Sequence, residues 1–243
     1  LIHKVYVKKK SHYWPFFCVI YLSWANSRKN RILRHLNKGL KPMPGTAHTR
    51  IILASGSPYR RKLLQQLEIP FDCISPEIDE TASSLEQPDA LALRLSKQKA
   101  QAAANQLTPL EEPAIIIGSD QVAACDGKVF GKPGTKEEAL KQLTWCQGKI
   151  VTFYTGLSLL HLGSSKQITR LCPFSVTFRN RKEAQLKAYI QREQPLDCAG
   201  SFKAEGLGIT LFKSMAGKDP NSLIGLPLID LVEMLEQFGI ELL

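Results

Sequence analysis

Histidine is almost missing from most of this chain. His3, His12, His35 and His48 fall in the first 49 positions, which leaves His161 alone in residues 50–243. That excludes a multi-histidine metal site and a histidine-based triad there. Acidic residues are missing from the first 49 positions altogether. Of 32 Lys and Arg, ten lie in that stretch; the other 22 match the 22 Asp and Glu, so residues 50–243 carry no net charge. The formal charge of +10 belongs to the leader, and it implies no nucleic-acid partner for the remainder. The six cysteines form no C-x-x-C pair. Most stand in apolar or strand-like surroundings, which points to buried free thiols in a reducing, cytoplasmic compartment.

Long apolar runs are lacking too. The uncharged stretch from Ser11 to Ser27 contains Pro15 and falls short of the ~20 residues a spanning helix needs. It faintly resembles a signal peptide, but its Tyr and Ser interruptions and the sequence Ala25-Asn26-Ser27 make a poor cleavage site. A basic amphipathic membrane contact is the other role open to such a segment. Met43 lies just ahead of the first convincing strand. We therefore expect residues 1–49 to be a basic leader, disordered or from an over-extended reading frame, and assign it no membrane role. Residues 50–243 are enough for one domain with a sizeable core.

With histidine excluded, chemistry at neutral pH falls to carboxylates, a metal ion, Lys, Cys or Tyr. Attention centres on Ala114 to Pro133. Ile115 to Ile117 is a β-branched run that reads as a buried strand, with Gly118 ending it. Asp120 is then expected just past the strand's carboxyl end, where open α/β sheets hold their ligands. Asp126-Gly127 between two apolar pieces signals a hairpin, which would carry Gly131-Lys132-Pro133 back beside Asp120. A carboxylate and an ammonium so placed suit a metal-bound phosphate. Taken alone, the stretch reads equally well as an edge hairpin with an ordinary surface Asp and Lys.

Upstream, Ile51 to Ala54 reads as a strand and Pro58 to Leu67 as a helix, with Ser57 as N-cap. Ser55, Ser57, free backbone amides and the pair Arg60-Arg61 converge at that helix start. Two cations there oppose the helix dipole, so an anion is expected. Phe71 to Ile74 is a second strand. Pro76 to Thr81 is an acidic loop, either plain surface or a source of oxygen ligands for a hard cation. Asp89 to Gln106 is a helix with Lys99 on its apolar stripe, where the side chain either snorkels outward or enters a site. Downstream, Lys136 to Trp145 and Glu183 to Arg192 read as helices, and 150–162 with 166–178 as a long hairpin. Cys198 to Gly206 is a small-residue loop, Ile209 to Phe212 a strand, and a last helix follows Pro227 and stops at Gly239.

In this order the pieces resemble the Maf family of nucleoside triphosphate pyrophosphatases. The resemblance is carried by Ile52-Leu53-Ala54-Ser55-x-Ser57-Pro58-x-Arg60-Arg61, Ile78-Asp79-Glu80-Thr81, Lys99-Ala100, Gly118-Ser119-Asp120, Gly131-Lys132-Pro133, and Gly225-Leu226-Pro227 with Asn221 ahead of it. It covers residue 50 to the end. It implies a mixed α/β sheet of the Maf/ITPase-like kind, two lobes around a central cleft, and a homodimer. It implies cleavage between the α and β phosphates of a small-molecule nucleotide with a divalent cation, Mg²⁺ or Mn²⁺. On it, Asp120 is the catalytic proton acceptor; Glu80 and Asp120 are the metal carboxylates; Ser57, Arg60, Arg61, Lys99 and Lys132 bind the phosphates.

Three positions divide the family by substrate, here Tyr59, Gln121 and Glu205. The branch acting on dTTP and UTP typically has Arg, a different residue after the Asp, and Gln. Gln121, Glu205 and the run Gly200 to Gly206 resemble the branch that hydrolyses 7-methyl-GTP, which often carries Trp where this chain has Tyr59. A 7-methylguanine ring is cationic, so stacking on Tyr59 is worth about 0.5–2 kcal/mol. Glu205 would accept hydrogen bonds from the guanine N1–H and N2 amine. The other readings are a dTTP/UTP pyrophosphatase and a cell-division regulator acting through partner binding.

Overall fold

The structure, a computed structural model, describes residues 49–107 and 113–243. The expectations for residues 1–48 lie outside the described residues. Among these a seven-stranded mixed sheet runs β2-β1-β3-β5-β6-β7, with β4 paired to β3 off that path. The strands are β1 (Arg50–Ala54), β2 (Asp72–Ile74), β3 (Ala114–Cys125), β4 (Lys128–Phe130), β5 (Ile150–His161), β6 (Lys166–Phe178) and β7 (Phe212–Gly217). The helices are α1 (Pro58–Leu64), α2 (Pro88–Asn105), α3 (Lys136–Cys146), α4 (Glu183–Glu193), α5 (Asn221–Ile224) and α6 (Leu228–Glu236). β1 is parallel to β2 and β3; the other pairings are antiparallel. The parallel strands are apolar on both faces because helices cover both, which is why Ile51–Ala54 and Ile115–Ile117 read as continuous runs.

One lobe packs Leu53, Ile115 and Ile117 of the sheet against Leu63 and Leu64 of α1 and Leu231 and Leu235 of α6. The other gathers Phe130, Leu143, Phe153, Phe178, Leu186 and Phe212 around Phe202. Phe202 meets Phe153, Phe178 and Phe212 edge-on at 5.1, 5.9 and 4.8 Å between ring centres. The cleft opens between these lobes.

β3 departs from its sequence reading. Gly118 does not end the strand: pairing with β5 continues through Asp120, which lies opposite Gly156. Asp120 is therefore inside a twelve-residue strand rather than beyond its end. The glycine serves a different purpose. A methyl group on Gly118 would stand 2.2 Å from the Ser96 carbonyl oxygen and 2.8 Å from the Ala100 amide nitrogen. One on Gly156 would stand 2.2 Å from the Ala92 carbonyl oxygen. Two glycines on adjacent strands thus let the α2 backbone rest on the sheet.

The second departure is at 207–217. The expected strand over Ile209 to Phe212 is a 3-10 segment, Leu207–Leu211, and the strand begins at Phe212. The β-branched look of Ile209-Thr210 is overridden because Gly208 sits against the Lys203 carbonyl, within a turn too tight for extension. The hairpin at Asp126-Gly127 forms as expected, with both residues at positive φ, 49° and 75°.

The glycine floor makes a direct prediction. Gly118→Ala should cost about 3 kcal/mol by urea denaturation, since backbone must move to admit the methyl. Gly131→Ala, with nothing near its new methyl, should stay within about 0.5 kcal/mol of the parent.

Candidate active site

Lys99 projects from α2 and Asp120 from the facing side of β3, and both are buried. The Lys99 ammonium donates to Asp120 Oδ1 at 2.5 Å. The same ammonium lies 2.7 Å from Glu80 Oε1. Lys99 therefore enters the site rather than snorkelling, because α2 rests too close to the sheet for its stem to turn outward. Glu80 reaches the pair from the loop between β2 and α2. Arg94, on α2, fastens that loop: it binds Glu86 through Nε at 2.8 Å and Nη2 at 2.8 Å, and donates to the Thr81 carbonyl at 3.0 Å.

Arg60 enters from α1. Its Nε donates to the Gly225 carbonyl at 2.8 Å and its Nη1 to Ser55 Oγ at 3.4 Å. Burial pulls Arg60 below its ordinary pKa, opposed by the charges of Asp120 and Glu80. Burial alone would raise the Glu80 carboxyl; Lys99, then Lys132 and Arg60, bring it below its usual value. Three cations from three separate elements thus surround one carboxylate. Ser57 caps α1, accepting from the Arg60 amide at 3.4 Å, and its hydroxyl proton remains free to donate. Ser57, Tyr59, Arg60, Glu80, Lys99, Asp120, Gln121, Lys132 and Glu205 all line one cleft of about 620 Å³, the size of a nucleotide-class pocket.

Arg61 is not brought in. It is exposed and does not line the cleft. Successive residues on a helix differ in direction by about 100°, so once Arg60 is turned toward Gly225, Arg61 must face away. Gln121 lines the cleft with its amide nitrogen already committed. Nε2 lies 2.6 Å from the Ser222 carbonyl, 3.2 Å from that of Leu223 and 3.1 Å from Thr155 Oγ1. Its carbonyl oxygen is the end left for a ligand. Tyr59 donates to Asp197 Oδ2 at 3.3 Å, across the cleft. Asp197 escaped the sequence reading: it lies 138 residues from Tyr59, beside a loop notable only for small residues.

A divalent cation fits the donor set at the centre. Glu80 Oε1 and Asp120 Oδ1 both face the Lys99 ammonium, so the second oxygen of each carboxylate, Oε2 and Oδ2, is the one that would ligate a cation beside it. No cluster of three or more His, Cys, Asp or Glu exists among the described residues. Two carboxylates with waters and phosphate oxygens completing the shell suit Mg²⁺ or Mn²⁺ rather than zinc.

A family model described as Maf-like protein matches residues 50–238. The chain belongs to the Maf family. A curated relative from Idiomarina loihiensis, named 7-methyl-GTP pyrophosphatase, is 50% identical over 190 residues, spanning 78% of this chain and 95% of the relative. The Maf match begins at β1 and ends just past α6, so it takes in every element that lines the cleft.

Two predictions follow from the charges. Lys99→Met leaves two carboxylates facing each other and should cost about 3 kcal/mol of stability; adding Asp120→Asn should restore part of it, as a double-mutant cycle in urea would measure. The Glu86 carboxyl is pulled down to about 2 by Arg94 and then by the Ser83 amide. A carboxyl depressed on folding stabilises above its unfolded value, near 4.3, and loses that contribution as pH falls toward the folded one. Hydrogen-exchange protection of residues 76–87 should therefore be intact at pH 5 and decline below about pH 4. Arg94→Ala should lose it already at neutral pH.

Proposed function

We propose that this Maf protein hydrolyses 7-methyl-GTP to 7-methyl-GMP and diphosphate, removing the modified nucleotide from the pool. The observation that carries the reading is the two-ended cleft. Arg60, Lys99 and Lys132 meet around Glu80 and Asp120 at one end, and Tyr59, Gln121 and Glu205 line the same cavity. The name of the Idiomarina loihiensis relative supports it, as does the resemblance of Gln121, Glu205 and the surrounding loop to the 7-methyl-GTP branch.

Water attacks the α-phosphorus, and the bond from that phosphorus to the oxygen bridging to the β-phosphate breaks. Asp120 accepts the water's proton; its hydrogen bond from Lys99 fixes the direction its free lone pairs face. Arg60, Lys99, Lys132 and the Ser57 hydroxyl hold the phosphate oxygens and the departing diphosphate, a division of labour in which positioning and charge neutralisation supply most of the rate. Glu80 and Asp120 would hold Mg²⁺ or Mn²⁺, which when bound neutralises phosphate charge.

At the base end, Tyr59 offers a stacking face and Glu205 an acceptor for the guanine edge. The same reading takes the working form as a cytoplasmic homodimer, supported by the five free cysteines of the described residues and by the family resemblance. It takes a nucleotide as ligand and no nucleic acid, supported by the neutral balance of residues 50–243. Among the described residues no helix is long and apolar enough to cross a membrane.

The test is pyrophosphate release from 7-methyl-GTP, GTP, dTTP, UTP and CTP with Mg²⁺ or Mn²⁺. We expect 7-methyl-GTP to be turned over best, and Asp120→Asn to lose at least about 10³-fold in kcat. Preference for dTTP and UTP would transfer the chain to the pyrimidine branch. No release from any of them would favour a role through partner binding.

A further inference from the structure

GTP and 7-methyl-GTP present the same hydrogen-bonding edge at N1 and N2. An acceptor such as Glu205 recognises guanine but gains little from the methyl group. What the methyl adds is a positive charge delocalised over the ring. Glu205, at that edge, senses the charge only through the N1–H it faces; a carboxylate near the stacking face would sense it over the ring itself.

We propose that Asp197 is such a specificity-determining residue, its carboxylate tethered across the cleft to the ring of Tyr59. This deepens the 7-methyl-GTP reading and rests on it. Asp197 lies in the segment between α4 and β7 and lines the cleft together with Tyr59 and Glu205. Its two oxygens have different duties. Oδ1 accepts from the Cys198 thiol at 3.4 Å and lies 3.8 Å from the Lys203 ammonium. Oδ2 accepts from the Tyr59 hydroxyl at 3.3 Å.

Lys203 offsets part of this charge, since it acts on the Tyr59 hydroxyl in the direction opposite to Asp197, but its ammonium is held on the side away from the cleft. Its ammonium donates to the Glu193 and Gln194 carbonyls at 3.1 and 3.4 Å, at the carboxyl end of α4, and it does not line the cleft. Burial alone would raise the Asp197 carboxyl. The Cys198 thiol, its own backbone amide, Lys203 and the Tyr59 hydroxyl hold it below the usual range, so it is ionised at neutral pH.

The hydrogen bond also acts on Tyr59 itself. An anionic acceptor on a phenol hydroxyl pushes electron density into the ring and strengthens its attraction for a cation stacked on it. It holds the hydroxyl end of the ring in place as well. At the phosphate end three cations outnumber the two carboxylates Glu80 and Asp120, whereas Asp197 and Glu205 line the cleft beside Tyr59. A neutral guanine gains nothing from that second field, and a methylated one does.

The experiment compares full-length Asp197→Asn and Asp197→Glu with the parent, reading kcat and KM for 7-methyl-GTP and GTP, with thermal unfolding alongside. Asparagine keeps an acceptor for the tyrosine hydroxyl and removes the charge. It should lower the preference for 7-methyl-GTP over GTP about fivefold to tenfold, as expected for one partly screened charge near the ring, with the change in KM. Glutamate, which keeps the charge, should hold most of the preference. An unchanged ratio in Asp197→Asn would overturn the proposal, and so would an equal loss in both variants, which would mean geometry and not charge. A parent that prefers pyrimidine triphosphates would instead overturn the 7-methyl-GTP reading itself. A parent that prefers 7-methyl-GTP with an indifferent Asp197→Asn overturns only the role of Asp197.

Discussion

The contact of α2 with the sheet is the constraint on which the site depends. Gly118 and Gly156 lie diagonally across adjacent strands under the helix, and the helix backbone rests where their side chains would be. That spacing turns Lys99 into the cleft and brings its ammonium against Asp120, two residues beyond Gly118 on the same face. A buried ammonium and a buried carboxylate are each costly alone. Together, with Glu80 as second partner, they become a preorganised charge cluster. The packing of an apolar helix and the polar chemistry of the site are in this way one arrangement.

A second fastening joins the elements on the opposite face. The Gly225 carbonyl accepts from Arg60 at 2.8 Å and from Ser119 at 2.9 Å, tying α1, β3 and the end of α5 to one atom. Gln121 and Thr155 hold the neighbouring Ser222 carbonyl. Asp219, almost fully buried, accepts from the amides of Asn221 and Ile229 at 2.8 Å each, serving the starts of α5 and α6 together. Side chains of β3 therefore serve both faces: Gly118 and Asp120 address α2, while Ser119 and Gln121 hold the Ser222–Gly225 segment behind the cleft. A strand gives that alternation without further device.

Two charged clusters line the same cavity. The cations come from α1, α2 and the segment after β4, and the carboxylates beside Tyr59 from the segment between α4 and β7. The lobes bring these groups together without sharing a core: one is built on aliphatic residues around α6, the other on edge-to-face aromatic pairs around Phe202.

Much of this was legible in the chain itself. Hydrophobic period, Ser57-Pro58 and Asp126-Gly127 determined most element types, because each is a local preference that the tertiary packing leaves in force. The residue types of the cleft were legible in part, since with histidine excluded the chemistry fell to carboxylates, a metal ion, Lys, Cys or Tyr. Other features only the tertiary structure decided. Gly118 reads locally as a stop but acts as a floor for a helix that lies elsewhere in sequence. Ile209-Thr210 prefers a strand but is folded into a turn by its contact with Lys203. Arg60 and Arg61 are alike in sequence, and only the position of Gly225 selects between them. Asp197 meets Tyr59 from 138 residues away. Local preferences are carried by neighbours along the chain, whereas these four assignments depend on which distant backbone or side chain fills the space, and a linear sequence does not record that distance.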